Sequence, residues 1–377
     1  MRKALIYVLL MLLIGIGLGL PVSAEAADYS TLPEQYVALE EYLPTEISEI
    51  LPDGLFSHDP ADVQAALAQM ISFSGLITLL VDLVGVHLSE SGTLLASICG
   101  LLLLCGLLRA FGASHNIAWA SLAPRLCLFG AVAGAGYAAV SAMVEYFETL
   151  QVLMGGMLPV MSVMYVLGGN LTRATVGNAA LGVGLNVCRI VCAGMAPPLF
   201  GACMALCMPT VMDAGIDLSR LSGFFKKTYT SVLGVLTLIL SLCLSAQNLI
   251  ASRADSVAMR SGRYAIGQMI PIVGGALGGS LDTLAASLGL LRGLAGTCGV
   301  LLLLLCCLPV LCRMLLLRLL FDLGSGAAQL MGCGPESAVL AEASSLFGYM
   351  AAAVAMCTAV FLIAVGAFAS CAAAWVS

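Results

Sequence analysis

LAGTCGVLLLLLCCLPVLCRMLLLRLL, residues 294–320, decides the fold. From Leu294 to Cys312 it carries no charge, and Leu dominates its second half. A helix needs roughly 17–25 apolar residues to cross the hydrocarbon core of a bilayer. This run meets that length before its first cation, Arg313. The wider composition agrees. Of 377 residues, 61% are hydrophobic and only 10% are charged. The mean hydropathy is +1.06. A soluble domain carries roughly 25% charged residues. A chain this apolar could not cover its surface with polar groups, so its bulk belongs in a membrane.

Further apolar runs extend the pattern in both directions. The strong spans are 92–108, 126–144, 175–193, 195–212, 231–250, 294–320 and 345–374. Two more segments, 150–167 and 266–291, are apolar but interrupted by Gly and Pro. They read as spans, re-entrant segments or interfacial helices. The expectation is an all-α polytopic membrane protein with about seven transmembrane helices, within a range of about six to nine.

Charge divides the chain. Arg2 and Lys3 precede an apolar run, Ala4 to Leu20, and the small-residue pattern Pro21-Val22-Ser23-Ala24. This is the layout of a secretory signal peptide, residues 1–24, cleaved after Ala24 or Ala26. The alternative is an uncleaved anchor, which exports the next residues just the same. Residues 25–90 hold twelve acidic residues and no Lys or Arg. Pro33, Pro44 and Pro52 cut the first part into short amphipathic helices, too small for a core of their own. Asp59-Pro60 reads as an N-cap and N1 pair opening a helix to about Leu88. Its apolar half, Gly75 to Leu88, either lies flat in the interface or spans, and flat is favoured. Residues 91–377 form the membrane domain.

Orientation follows the cations in part. Arg109 and Arg125 place the first loop of the membrane domain on the cytoplasmic side. Arg220, Lys226 and Lys227 then precede a span that Arg253, Arg260 and Arg263 follow. Both flanks of one span cannot be inside. Either that segment does not fully cross or one basic cluster has another task.

Function classes fall away quickly. With 15 Lys+Arg against 21 Asp+Glu there is no basic stripe for nucleic acid. No G-x-x-x-x-G-K-[ST], H-E-x-x-H or G-x-S-x-G motif occurs. Ser114-His115-Asn116 reads as a polar turn. The 15 cysteines include no C-x-x-C and sit mostly in apolar runs, so they read as packing residues. No catalytic, cofactor or metal residue is expected. Asp82, Asp282 and Asp322 stand out as carboxylates within apolar segments. Arg318, four residues before Asp322, is its expected partner.

The most distinctive stretch is RADSVAMRSGRYAIGQMIPIVGGALGGSLDTL, residues 253–284. Arg253 and Arg260 share a helix face, with Arg263 near it. Pro271 then breaks the backbone. Gly274 and Gly278 have the spacing that lets another helix approach closely, and Asp282 continues their face. Together these seven residues read as an assembly element. The plainer reading is a cytoplasmic loop followed by an ordinary small-residue span. In the assembly reading the arginines meet anionic headgroups or an acidic partner, at about 1 kcal/mol each.

This stretch resembles the stage III sporulation protein AE family. The resemblance rests on residues 260–284, on Leu158-Pro159-Val160 before Gly168-Gly169, and on the Leu-rich run 300–320. It is most specific over 253–320, and the chain departs from it in its wealth of Cys, Gly and Ala. The family implies a non-enzymatic membrane subunit of a secretion-like channel complex linking mother cell and forespore. It implies other membrane subunits, a separate ATPase subunit and the lipid bilayer as partners, and it leaves a homo-oligomer open. It places the protein in the mother-cell membrane around the forespore, with the N-terminal section in the intermembrane space. It supplies no cofactor and no catalytic residues. The rival reading is a small-solute transporter or permease, favoured by the interrupted segments 150–168 and 266–291.

Overall fold

The computed structural model describes residues 91–108, 122–167, 173–212, 218–242 and 274–369, with single helical positions at Asp62, Ala66 and Gly85. The described residues are helical and include no strand. We label the helices α1 (Ser91–Leu108), α2 (Leu122–Leu167), α3 (Asn178–Cys188), α4 (Gly194–Val211), α5 (219–242), α6 (Gly274–Leu330) and α7 (Gly334–Ala369).

Among the described residues, five helices are long and apolar enough to cross a membrane: α1, α2, the joined rod of α3 and α4, the Ala295–Leu330 part of α6, and α7. Three expected divisions are absent. The interrupted segment 150–167 is not a separate element. It continues α2, which runs 46 residues straight through Pro159. Spans 175–193 and 195–212 are likewise one rod, Ala179–Val211. A wide helical turn at Arg189–Ala193 joins its halves, despite Pro197 and Pro198 just beyond. In lipid an unpaired backbone group has no water to turn to, so the chain stays helical where a soluble helix would stop. Finally, residues 274–291 of the second interrupted segment belong to the 57-residue helix α6. The predicted signal peptide and most of the acidic section lie outside the described residues.

The α6–α7 hairpin is the centre of the bundle. Its turn is built on Gly332, whose φ of +73° is the left-handed conformation that a Cβ disfavours. Gly332 N donates to Gln329 O at 3.0 Å, and Cys333 N to Ala328 O at 2.8 Å. This reciprocal pair satisfies two carbonyls that the end of a helix leaves open. Cys333 O then receives Ser337 N at 3.0 Å and opens α7. Burial follows the same order. In their most apolar windows, 72% of α7 is buried but only 17% of α1.

The other helices pack round the hairpin in fixed directions. Arg125 meets Glu336 and Tyr146 meets Thr358. Tyr165 packs edge-on to Phe368 at 5.3 Å. So α2 runs parallel to α7. The rod runs the other way, because Phe200 packs near Phe347 and Cys192 near Cys357. Phe321 of α6 stacks on Phe347 at 5.5 Å. At one point two helices come within backbone distance. Gly296 lies against Ala369, where any Cβ would overlap the neighbouring chain.

Candidate functional site

The first turns of α7 read GPESAVLAEASS, residues 334–345. A helix apolar almost throughout thus opens with two carboxylates and three hydroxyls, Glu336, Ser337, Glu342, Ser344 and Ser345. Burying such groups is costly unless each is paired. The fold gives each a partner on a neighbouring helix.

Toward α2, Arg125 Nε donates to Glu336 Oε1 at 3.1 Å, with both side chains almost wholly buried. Toward α5, Lys226 Nζ donates to Glu342 Oε1 at 2.7 Å and to Ser345 Oγ at 2.6 Å. Ser222, one turn before Lys226, donates a second, short bond to the same Glu342 oxygen. Ser345 also donates to Glu342 O at 2.9 Å, which holds its hydroxyl beside the ammonium. Toward α6, Ser344 donates to Asp322 Oδ1 at 2.5 Å, and Ser325 Oγ meets Ser337 O and Oγ, each at 3.1 Å. One short stretch of α7 is therefore a polar hub that binds three helices. The side chains of Lys226 and Glu342 are 7% and 15% exposed, so water screens this pair poorly.

The hub revises two expectations. Arg318 is not the partner of Asp322, despite the favourable spacing. Asp322 takes Ser344 instead. Arg318 lies across Gly348, in the space that residue leaves open. Its Nε is buried without a hydrogen-bond partner. The hairpin brings a hydroxyl closer to the carboxylate than the next turn of its own helix does. The cluster Arg220, Lys226 and Lys227 is not a loop before a span, since it lies within α5. Lys226 is inside the bundle, so it drops out of any count of loop charges.

The seven residues of the expected assembly element are placed differently. Arg253, Arg260, Arg263 and Pro271 lie outside the described residues. Gly274, Gly278 and Asp282 fall at the start of α6, on successive turns of continuous helix. They are remote in sequence from the hub, whose described partners are Arg125, Ser222, Lys226, Asp322 and Ser325. Sequence reasoning missed the hub because Lys226 and Glu342 are 116 residues apart. One signal was available. Glu336 and Glu342 are the only acidic residues after Asp322 in an apolar C-terminal region.

The cysteines pack among themselves and with hydroxyls. Cys192 Sγ and Cys357 Sγ are 3.1 Å apart, joining the rod to α7. Thr358 Oγ1 reaches Cys307 Sγ at 3.3 Å. Among the described residues, no group of three or more His, Cys, Asp or Glu is placed to hold a metal ion.

Comparison with known proteins now bears on the whole bundle. A family model described as Stage III sporulation protein AE matches residues 63–372. The chain belongs to the stage III sporulation protein AE family. Its match therefore takes in every helix named above. A curated member, Stage III sporulation protein AE of Bacillus subtilis (strain 168), is 20% identical over 227 residues. That match covers 60% of this chain and 57% of the relative's own length. No solved structure matches the chain. The family of these long apolar helices is a sporulation family, and the helices themselves are those of a membrane protein.

Proposed function

We propose that this chain is a non-enzymatic membrane subunit of a multiprotein sporulation complex. In this reading the complex joins mother cell and forespore as a secretion-like channel. It supports forespore integrity and late forespore gene expression. The protein sits in the mother-cell membrane around the forespore, with its acidic N-terminal section in the intermembrane space. A separate subunit supplies ATP hydrolysis. Its role is to hold a bundle of spans in one arrangement for other subunits to meet.

The observation that supports this reading most is family membership over residues 63–372. The polar hub fits it. The hub's charge pairs hold α2, α5 and α7 in one arrangement. The test is an in-frame deletion in the native host, followed by microscopy and a late-forespore reporter. The expected result is completed engulfment, then a shrinking forespore and a silent reporter. Normal spores with altered solute uptake would replace this reading with the transporter reading.

A further inference from the structure

Three of the cysteines meet across two helices. Cys192 stands in the wide turn Arg189–Ala193 of the rod, and its Sγ lies 3.1 Å from Cys357 Sγ on α7. Cys188, four residues earlier on the rod, also hydrogen-bonds the Cys357 thiol. All three are buried. Both sides of the contact are held in place. Tyr229 of α5 donates to Cys192 O at 3.5 Å. Beside Cys357, Thr358 meets Tyr146 of α2 and donates to Val354 O at 2.8 Å.

A buried cysteine standing alone is a small packing residue with an inert thiol. Two thiols that face one another from separate helices are different, because the second is at hand as soon as the first is oxidised. An S–S bond is about 2.05 Å long, so the sulfurs of Cys192 and Cys357 need to close by about 1 Å. The setting also selects the oxidant. A thiol inside an apolar bundle is better reached by a reagent that dissolves in lipid than by one carried in water. Organic hydroperoxides are oxidants of that kind.

We propose that Cys192 and Cys357 form a disulfide when the membrane carries organic hydroperoxides, tying the rod to α7. One thiol attacks the peroxide. The O–O bond breaks, an S–O bond forms, and the thiol proton leaves with the alcohol. The second thiol then attacks that sulfur. The S–O bond breaks, the S–S bond forms, and water leaves. Two electrons pass from the thiols to the peroxide, and no further reactant is needed. Cys188 is a third thiol within reach of Cys357, so it stands in for Cys192 by thiol–disulfide exchange. The link joins residues 165 apart in the chain, so the rod and α7 stay together even when the bundle opens. The proposal rests on the packing of the rod against α7 and is independent of the sporulation role.

The test treats the full-length protein in lipid nanodiscs with cumene hydroperoxide. Free thiols are then alkylated, and unreduced peptides are read by mass spectrometry. The expected product joins Cys357 to Cys192 or to Cys188. Cys357→Ser should leave no link between the rod and α7, and Cys192→Ser should move the link to Cys188. Cys203→Ser, elsewhere on the rod, should leave it in place. The exposed thiols of Cys99 and Cys127 report that the peroxide has acted. If they are oxidised while Cys188, Cys192 and Cys357 all remain free thiols, the proposal is overturned. A link from Cys357 to any other cysteine overturns it too, as does a rod–α7 link that survives Cys357→Ser. The unaltered protein alone decides the first of these outcomes, so a variant that misfolds does not shield the proposal.

Discussion

Lys226 shows how much one side chain contributes here. Its ammonium is buried against Glu342 and Ser345. Removing one member of such a pair strands the other charge, at a cost of about 3–5 kcal/mol, whereas replacing both by apolar groups is often neutral. Lys226→Met should therefore destabilise the bundle by about that amount. Adding Glu342→Leu to it should recover most of the loss, as read from denaturant midpoints in detergent. A second contrast concerns glycine. A Cβ at Gly296 would meet the backbone of Ala369, while one at Gly348 would meet the far end of Arg318. Gly296→Ala should cost about 1–3 kcal/mol, as overpacking does, and Gly348→Ala distinctly less, because a guanidinium can swing aside. Thermal melts of the two variants would order them. At this scale the sequence was only half legible. That Asp322 needed a partner could be read from its apolar setting. Which partner it took could not, because Ser344 reaches it only across the hairpin.

At the scale of the element, the hydropathy of the spans was plain and their ends were not. Interruptions such as Pro159 looked like boundaries because proline breaks helices in water. In an apolar bundle the helix is the one arrangement that satisfies the backbone, and it runs on through them. The clearest boundary is the turn at Gly332, where the backbone has positive φ. A side chain there should cost about 1–2 kcal/mol. Gly332→Val is expected to lower stability by that amount and to leave the hub's partners unchanged. Infrared amide spectra and the same denaturant titration would check both parts.

For the whole molecule, length is the dominant fact. At 1.5 Å per residue, α2 is about 69 Å long and α6 about 85 Å, while the hydrocarbon core is about 30 Å thick. The bundle therefore stands well clear of the bilayer. The membrane class was legible from composition alone. The packing of the other long apolar helices round one hairpin was not, because its contacts join residues far apart in the chain. The hub adds a consequence in time. Arg125 and Lys226 leave the ribosome well before Glu336 and Glu342 do. Until α7 arrives, the growing chain holds both cations without the carboxylates they pair with in the folded bundle. A chain truncated before Gly334 should thus be degraded, as pulse–chase labelling in the native host would reveal by a shortened half-life. Only with α7 in place do Arg125 and Lys226 have the carboxylates that pair with them inside the bundle.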